Sequence, residues 1–343
     1  MMRRGWTVLV GAVVLLALSI GLSYLPVPYV VLGPGPTLDT LGKSDGKEII
    51  TISGRDVSTS KGHLNLTTVS VRDRIDLASA LRFWIDGDTA VVPRELVYPP
   101  DQTDKQVEAE NEQAFKASQT SAETAALREL GFPVQVTVAE LAKGSPSAGK
   151  LAKGDVLTKV DGKPVTSRST LIQRIMERKI GDEVTVEYTR AGKPGSVKIK
   201  TAGAGNGEQR RPVIGVSVEQ QQPHPFTVSF DLDRIGGPSA GLMFALAIID
   251  KLDPKDLTGG VFIAGTGEID DDGNVGAIGG IPQKMIAAKA AGAKAFLTPD
   301  GNCAEAVKTA PDGLRLVRVK TLDDALTSLE TLRAGGAPPA CPH

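Results

Sequence analysis

The feature that most constrains this chain is an uncharged run of twenty residues, from Trp6 to Leu25, placed directly behind Arg3 and Arg4. As a helix rising about 1.5 Å per residue, such a run is roughly 30 Å long, the hydrocarbon thickness of a bilayer. Pro26 and Pro28 then end any helix. Arginines next to a membrane span favour the cytoplasmic side. Residues 1–28 are therefore expected to be a single-pass transmembrane anchor with a cytoplasmic N-terminus, and the rest of the chain to lie outside the cell membrane. A cleaved signal peptide is the rival reading. "ALS" at 17–19 is a passable cleavage site, but the apolar run continues past it.

With 343 residues, 41% of them hydrophobic, the chain is long enough for two or three domains. A net charge of −1 argues against a nucleic-acid surface. Only three histidines (His63, His224, His343) and two cysteines are present, which argues against a zinc site, so no metal and no cofactor are expected. In an oxidising compartment Cys303 and Cys341 are permitted a disulfide that would tie the tail, 336–343, to the last domain. Whether the two sulfurs meet is left open by the sequence.

Residues 29–128 form an N-terminal region. "YVVLGPGPTLDTLGK" reads as an extended exit from the membrane, and "EIITISG" and "GHLNLTTVSV" read as strands. "DRIDLASALRFWIDG" carries Leu77, Leu81 and Trp84 at helical spacing, with Gly87 as a stop. Residues 99–128 are polar and read as exposed helix leading to the next module.

Residues 129–203 have their own rhythm. A strand, "FPVQVTVAEL", precedes a loop with a tight Asp-Gly turn. Then come an amphipathic helix with Leu171, Ile172, Ile175 and Met176 inward, and a closing hairpin. The stretch resembles a PDZ domain, on "LGF" at 130–132, "GSPSAGKLAKGDVLTKVDGKPV" and the late helix. The resemblance implies a groove in which a peptide adds as a strand beside the helix. Leu130, Gly131, Phe132 and Val134 would line it, and Leu171 and Ile175 would face it. The ligand would be a peptide terminus or an internal segment; a small sandwich with no ligand is the bland alternative.

Residues 203–211 read as a linker, and 204–335 as an α+β domain alternating strands and helices. Its centre is "IGGPSAGLMFALAIID", an apolar helix entered through Ser239. Serine is a preferred helix cap, worth about 1 kcal/mol. Yet Gly236 and Gly237 permit close approach by a ligand, and a helix N-terminus favours developing negative charge. Amides of Ser239, Gly237 and Gly236 would then form an oxyanion hole beside a hydroxyl. The residues alone leave cap and nucleophile equally open.

A nucleophilic serine needs a base. His224, between prolines, is poorly placed. Lys284 falls in the first turn of a helix opened by Pro282, at the positive end of the dipole. That position, and burial, lower a lysine pKa and free the amine to take a proton. The bland reading is an exposed helix lysine.

"GGPSAGLMFALAIID" and "GTGEIDDDGNVGAIGGIPQKMIAAKAAGAKAFLTP", in that order, resemble the proteolytic domain of the Lon proteases over about 212–335. The resemblance implies a Ser–Lys dyad of Ser239 and Lys284, with Thr266 orienting the amine. The acidic residue common three positions before the serine is replaced by Gly236. No G-x-x-x-x-G-K-[ST] occurs, so the chain has no such loop to cradle ATP. Together with the anchor, this resembles the membrane-anchored PDZ–Lon proteins of Gram-positive bacteria (the YlbL-type family). The Lon fold extends upstream of its serine, and residues 47–87 are expected to supply that part, with the PDZ module inserted. "EIDDDGNVGAIG" approaches a calcium loop, but Gly279 stands where the bidentate glutamate belongs, so a hairpin turn is favoured.

The expectation is an α+β chain acting as an ATP-independent serine endopeptidase on unfolded or extended proteins, with PDZ recognition of substrate segments. A homo-oligomer, a hexameric ring by resemblance, is implied, with no nucleic acid and no ATP. The alternative is a PDZ-based adaptor on an inactive or only self-cleaving scaffold.

Overall fold

The computed structural model describes residues 2–205, 210–232 and 235–342, without the side chains of residues 2–5, 7 and 8. Part of the expected linker, 206–209, and the charges of Arg3 and Arg4 lie outside the described residues. The helices, in chain order, are α1 (Met2–Ser23), α2 (Leu77–Ile85), α3 (Asp104–Glu129), α4 (Arg168–Met176), α5 (Gly241–Leu252), α6 (Ile281–Ala291), α7 (Cys303–Thr309) and α8 (Leu322–Arg333). The strands that matter for the site are β1 (Tyr29–Asp39), β2 (His63–Arg72), β3 (Ala90–Pro93), β4 (Gln135–Leu141), β5 (Val156–Val160), β6 (Glu183–Arg190), β7 (Lys193–Lys200), β8 (Val216–Gln221), β9 (Phe262–Gly265), β10 (Ala295–Pro299) and β11 (Arg315–Val319). The chain divides into two compact units. The first holds Met1–Thr51, Val57–Ala122 and Val228–His343, and the second Ile52–Asp56 and Glu123–Thr227.

The first unit is built on one mixed sheet in the order β11-β10-β9-β2-β1-β3. From β11 to β2 the pairs are parallel, and β1 pairs antiparallel with both β2 and β3. Residues 47–87 thus contribute β2 to the middle of the sheet, in register with β9 from His63↔Phe262 to Leu66↔Gly265. The apolar repeat of α5 has no polar face, and every residue from Gly241 to Leu252 is buried. Each large side chain buried there is worth about 1.5–3 kcal/mol. Beyond α6, Cys303 at the head of α7 is disulfide-bonded to Cys341, and Arg318 N–H donates to the Pro339 carbonyl, so the tail is tied down twice.

The second unit is a sheet in the order β7-β6-β5-β4-β8 around a core of Val136, Val138, Leu157, Val184, Val186, Ile199, Leu171 and Ile175. Three expectations change here. Residues Val216–Gln221, which the sequence places in the last domain, form β8, and it pairs with β4. The domain boundary expected at 204 therefore falls inside this unit. On α4 only Leu171 and Ile175 are buried, while Ile172 and Met176 are about half exposed.

Two helices of the first unit also depart from expectation. Residues 99–128 are not a solvated connector, because α3 buries Val107, Phe115, Ser118 and Ala122. In α2 the core-facing residues are Ala80 and Phe83, packed with Val31, Ile75 and Val91, whereas Leu81 and Trp84 point outward. The helix α1 has its described side chains at 6 and 9–23, nearly all exposed. Counted over described residues, no helix is long and apolar enough to cross a membrane.

Candidate active site

Ser239 does not cap α5. The N-cap is Ala240, with no side-chain hydrogen bond, and Ser239 sits one residue earlier. Its hydroxyl is thereby free of the local bond a capping serine makes. Instead Lys284 Nζ lies 2.7 Å from Ser239 Oγ and 3.0 Å from Thr266 Oγ1. Thr266 Oγ1 in turn donates to the Ser239 carbonyl at 3.0 Å, and the Gly267 N–H donates to the same oxygen at 2.9 Å. Since the Thr266 proton goes to that carbonyl, its lone pairs face Lys284 and must accept from it. A neutral amine that gives one hydrogen to Thr266 then has its lone pair for the serine proton.

Lys284 reaches the serine from the first turn of α6. Gly280, the N-cap, adopts φ 70, and a Cβ there would lie 2.6 Å from Val69 Cγ2. Only glycine lets the helix start this close to β2. The amine is 3% exposed as a residue, and its pKa is pushed down from 10.5 to about 8. Burial is the dominant cause, and the carboxylate of Glu268 opposes it.

The serine opens onto a cleft of about 510 Å³. One wall is Leu66–Val69 of β2 with Pro36 and Leu38. The other is Ile235, Gly236, Gly237 and Ala240, with Gly279 nearby. The β9 register stops at Leu66, so past that point β2 pairs only with β1 and leaves a strand edge open beside the serine.

Of the expected oxyanion donors, the Gly237 N–H is occupied, since it donates to the Asn111 carbonyl of α3 at 2.9 Å. The N–H groups of Gly236 and Ser239 have no acceptor among the described residues. Sequence reasoning read a helix over 99–128 but missed its burial and its contact with the serine loop. Ser118 Oγ donates to the Pro238 carbonyl at 2.9 Å, and Phe115 packs edge-on against Phe244, 5.7 Å between centroids. Asn111, Phe115, Ser118 and Ala122 share a stripe at spacings of four, three and four, and that apolar–small periodicity was the available signal. A Cβ at Gly236 would lie 3.0 Å from Asn111 Cβ, so α3 also explains why a bulkier acid does not stand there.

A cleft lies beside α4 in the second unit, but half its lining differs from the expected peptide groove. Leu171 and Ile175, with Ile172 and Met176, face Val213–Val218 across a cleft of about 550 Å³. Leu130, Gly131, Phe132 and Val134 do not line it. The first three end α3, where Phe132 N–H donates to the Leu127 carbonyl and Gly131 N–H to Arg128, while the Phe132 ring packs on Phe226. The outer edge of β8 is unpaired and takes the place assigned by sequence to 130–134. "VIGV" at 213–216, a glycine amid apolar residues, carries the signal that "LGF" was given. His224, expected to be unsuited as a base, lies in the second unit beside Glu123 at 3.6 Å. The "DDDGN" turn is closed by Asp270, which accepts from the amides of Asp272 and Asn274.

Residues 234–331 match the family model of the Lon protease (S16) C-terminal proteolytic domain, and residues 106–201 match the PDZ domain. The archaeal Lon protease of Methanocaldococcus jannaschii is 38% identical over 105 residues, which are 30% of this chain and 16% of that protein. Lon protease 2 of Bacillus subtilis is 38% identical over 97 residues, 28% of this chain and 17% of that protein. The chain thus spans only a small part of the length of the curated relatives it matches. Among solved structures, the PDZ domain of an SdrC-like protein from Listeria monocytogenes is 29% identical, covering 24% of this chain and 85% of that one with a TM-score of 0.23. The two family matches give the class: a Lon-type serine protease domain combined with a PDZ domain.

Proposed function

We propose that the chain is an ATP-independent serine endopeptidase that uses Ser239 as nucleophile and Lys284 as general base. The observation that carries this is the buried Lys284 amine 2.7 Å from the Ser239 hydroxyl, with Thr266 fixing its orientation. Ser239 Oγ attacks the scissile carbonyl carbon while its proton passes to Lys284 Nζ, and the carbonyl π pair moves onto oxygen. The N–H groups of Ser239 and Gly236 are the free donors for that oxyanion. Collapse breaks the C–N bond, and Lys284 returns the proton to the leaving amine. Water then attacks the acyl ester, gives its proton to Lys284, and release of the acid restores the Ser239 hydroxyl.

Substrates of this reading are unfolded or extended segments. The open edge of β2 beside the serine suits a chain added as a strand, and no ATP-binding loop motif occurs in the sequence to drive unfolding. The β8–α4 groove selects or delivers substrate by the same strand addition. Anchoring by α1, with the catalytic unit outside the cell membrane, is supported by the uncharged 6–25 run behind two arginines. Assembly into a homo-oligomeric ring is proposed from the relation to Lon domains.

The test is hydrolysis of unfolded casein by the full chain. Ser239→Ala and Lys284→Met are each expected to lower the rate by about 10³-fold or more, with the fold intact by circular dichroism. A folded Ser239→Ala protein as active as the wild type would sink the assignment.

A further inference from the structure

An apolar face on the first unit has no partner among the described residues. On α2, Ala78, Leu81 and Ile85 recur at helical spacing with Trp84 beside them, and Leu81, Trp84 and Ile85 are 49%, 75% and 86% exposed. The opposite face is fully used, by Ala80 and Phe83 against the β1 side of the core. Burying so much apolar surface in one short helix on one side only, and leaving a tryptophan and an isoleucine in water on the other, calls for an occupant.

What lies next to this face is the exit of α1. The Leu77 N–H donates to the Leu25 carbonyl at 3.0 Å, the Val27 N–H donates to the Ile75 carbonyl at 3.1 Å, and Pro26 bridges to Asp76. The start of α2 is therefore pinned two residues beyond the end of α1. Tyr24 and Leu25, at that same exit, are also exposed. Tyrosine and tryptophan beside the end of an apolar helix are the residues that settle at a headgroup boundary. Arg82, on α2 itself, borders the face and has no carboxylate partner among the described residues, whereas Arg72 lies over the Phe83 ring at 5.0 Å, on the core-facing side. The nearby acids Asp73 and Asp76 are engaged, by Arg94 and by the Ser79 N–H.

We propose that the outward face of α2 docks into the headgroup interface of the bilayer that α1 enters, with Leu81, Trp84 and Ile85 at acyl-chain depth and Arg82 among anionic headgroups. This rests on the reading of α1 as an anchor. Val69 of the cleft wall is eight residues before Leu77, so docking holds the serine cleft close to the membrane surface and favours segments presented there.

Trp6 and Trp84 are the two tryptophans of the chain, which makes the test direct. The full chain carrying Trp6→Phe is reconstituted into phosphatidylcholine–phosphatidylglycerol vesicles, and again with phosphatidylcholine brominated just below the headgroup. The expected result is that Trp84 loses more than half its emission to the bromolipid and is shielded from aqueous acrylamide. Trp84 quenched by acrylamide but not by bromolipid, in protein that floats with the vesicles, overturns the docking and leaves the anchor standing. Shielding from acrylamide without bromolipid quenching also overturns it, since a second protein copy then covers the face. The companion Trp84→Phe chain reports on Trp6. If it fails to float and Trp6 is untouched by lipid, the anchor itself is wrong and the docking falls with it.

Discussion

In the proposed mechanism Lys284 is the residue on which the chemistry turns, because its amine must be neutral to accept a proton. With its pKa held near 8 by burial, the neutral form is about a tenth of the total at pH 7 and about nine tenths at pH 9. Activity is therefore expected to rise through a single limb centred near pH 8, measured as kcat/KM on a peptide substrate. Glu268 opposes the shift by stabilising the charged amine. Glu268→Gln removes that attraction, so the limb moves to lower pH; a shift to higher pH, or none, would contradict the electrostatics. The serine raised two readings in the sequence, cap and nucleophile. They separate by one residue: the cap is Ala240, so the Ser239 hydroxyl is left to Lys284.

Among the elements, α3 does work that its polar sequence hides. It holds the loop before Ser239 through the Ser118 hydroxyl and the Asn111 carbonyl, and packs on α5 through the Phe115 ring. Removing the Ser118 bond costs about 1 kcal/mol of stability. Because the loop carries the proposed nucleophile, Ser118→Ala is expected to lower kcat about tenfold with KM little changed. A proportional loss confined to KM would assign Ser118 to substrate binding instead. In α4, Ile172 lines the peptide groove while about half exposed, so Ile172→Lys can be made without opening the core. It is expected to abolish binding of hydrophobic peptides by calorimetry, at least about tenfold, and to spare cleavage of short substrates at Ser239. Unchanged peptide affinity would mean the groove is not the binding surface.

For the whole molecule, the first unit is discontinuous: β1, β2, β3 and the start of α3 come before the second unit, and β9, β10 and β11 come after it. Both segments must be present before β2 can sit beside β9. The Cys303–Cys341 bond closes a loop across 38 positions at the far end. By chain entropy it is worth on the order of 4 kcal/mol. Cys341→Ser is thus expected to lower the urea midpoint of the catalytic unit clearly while leaving the Lys284 pH limb in place. A shift in that limb would place the tail in contact with the site.

The sequence by itself determined the local chemistry. "GGPSAG" placed a serine among glycines ahead of a buried helix, and "GGIPQK" put a lysine in a first turn, because motif spacing and helix periodicity are local properties. It also pointed to residues 47–87 as part of the last domain. Only the tertiary structure decided which strand edge lines the cleft beside α4, because β8 pairs with β4 across some eighty residues, and no local pattern records a partner that distant. The same holds for α3 against the serine loop and for the outward face of α2. Leu81 and Trp84 have the spacing of a core stripe, and which side of a helix meets the core is set by what the rest of the chain packs against it.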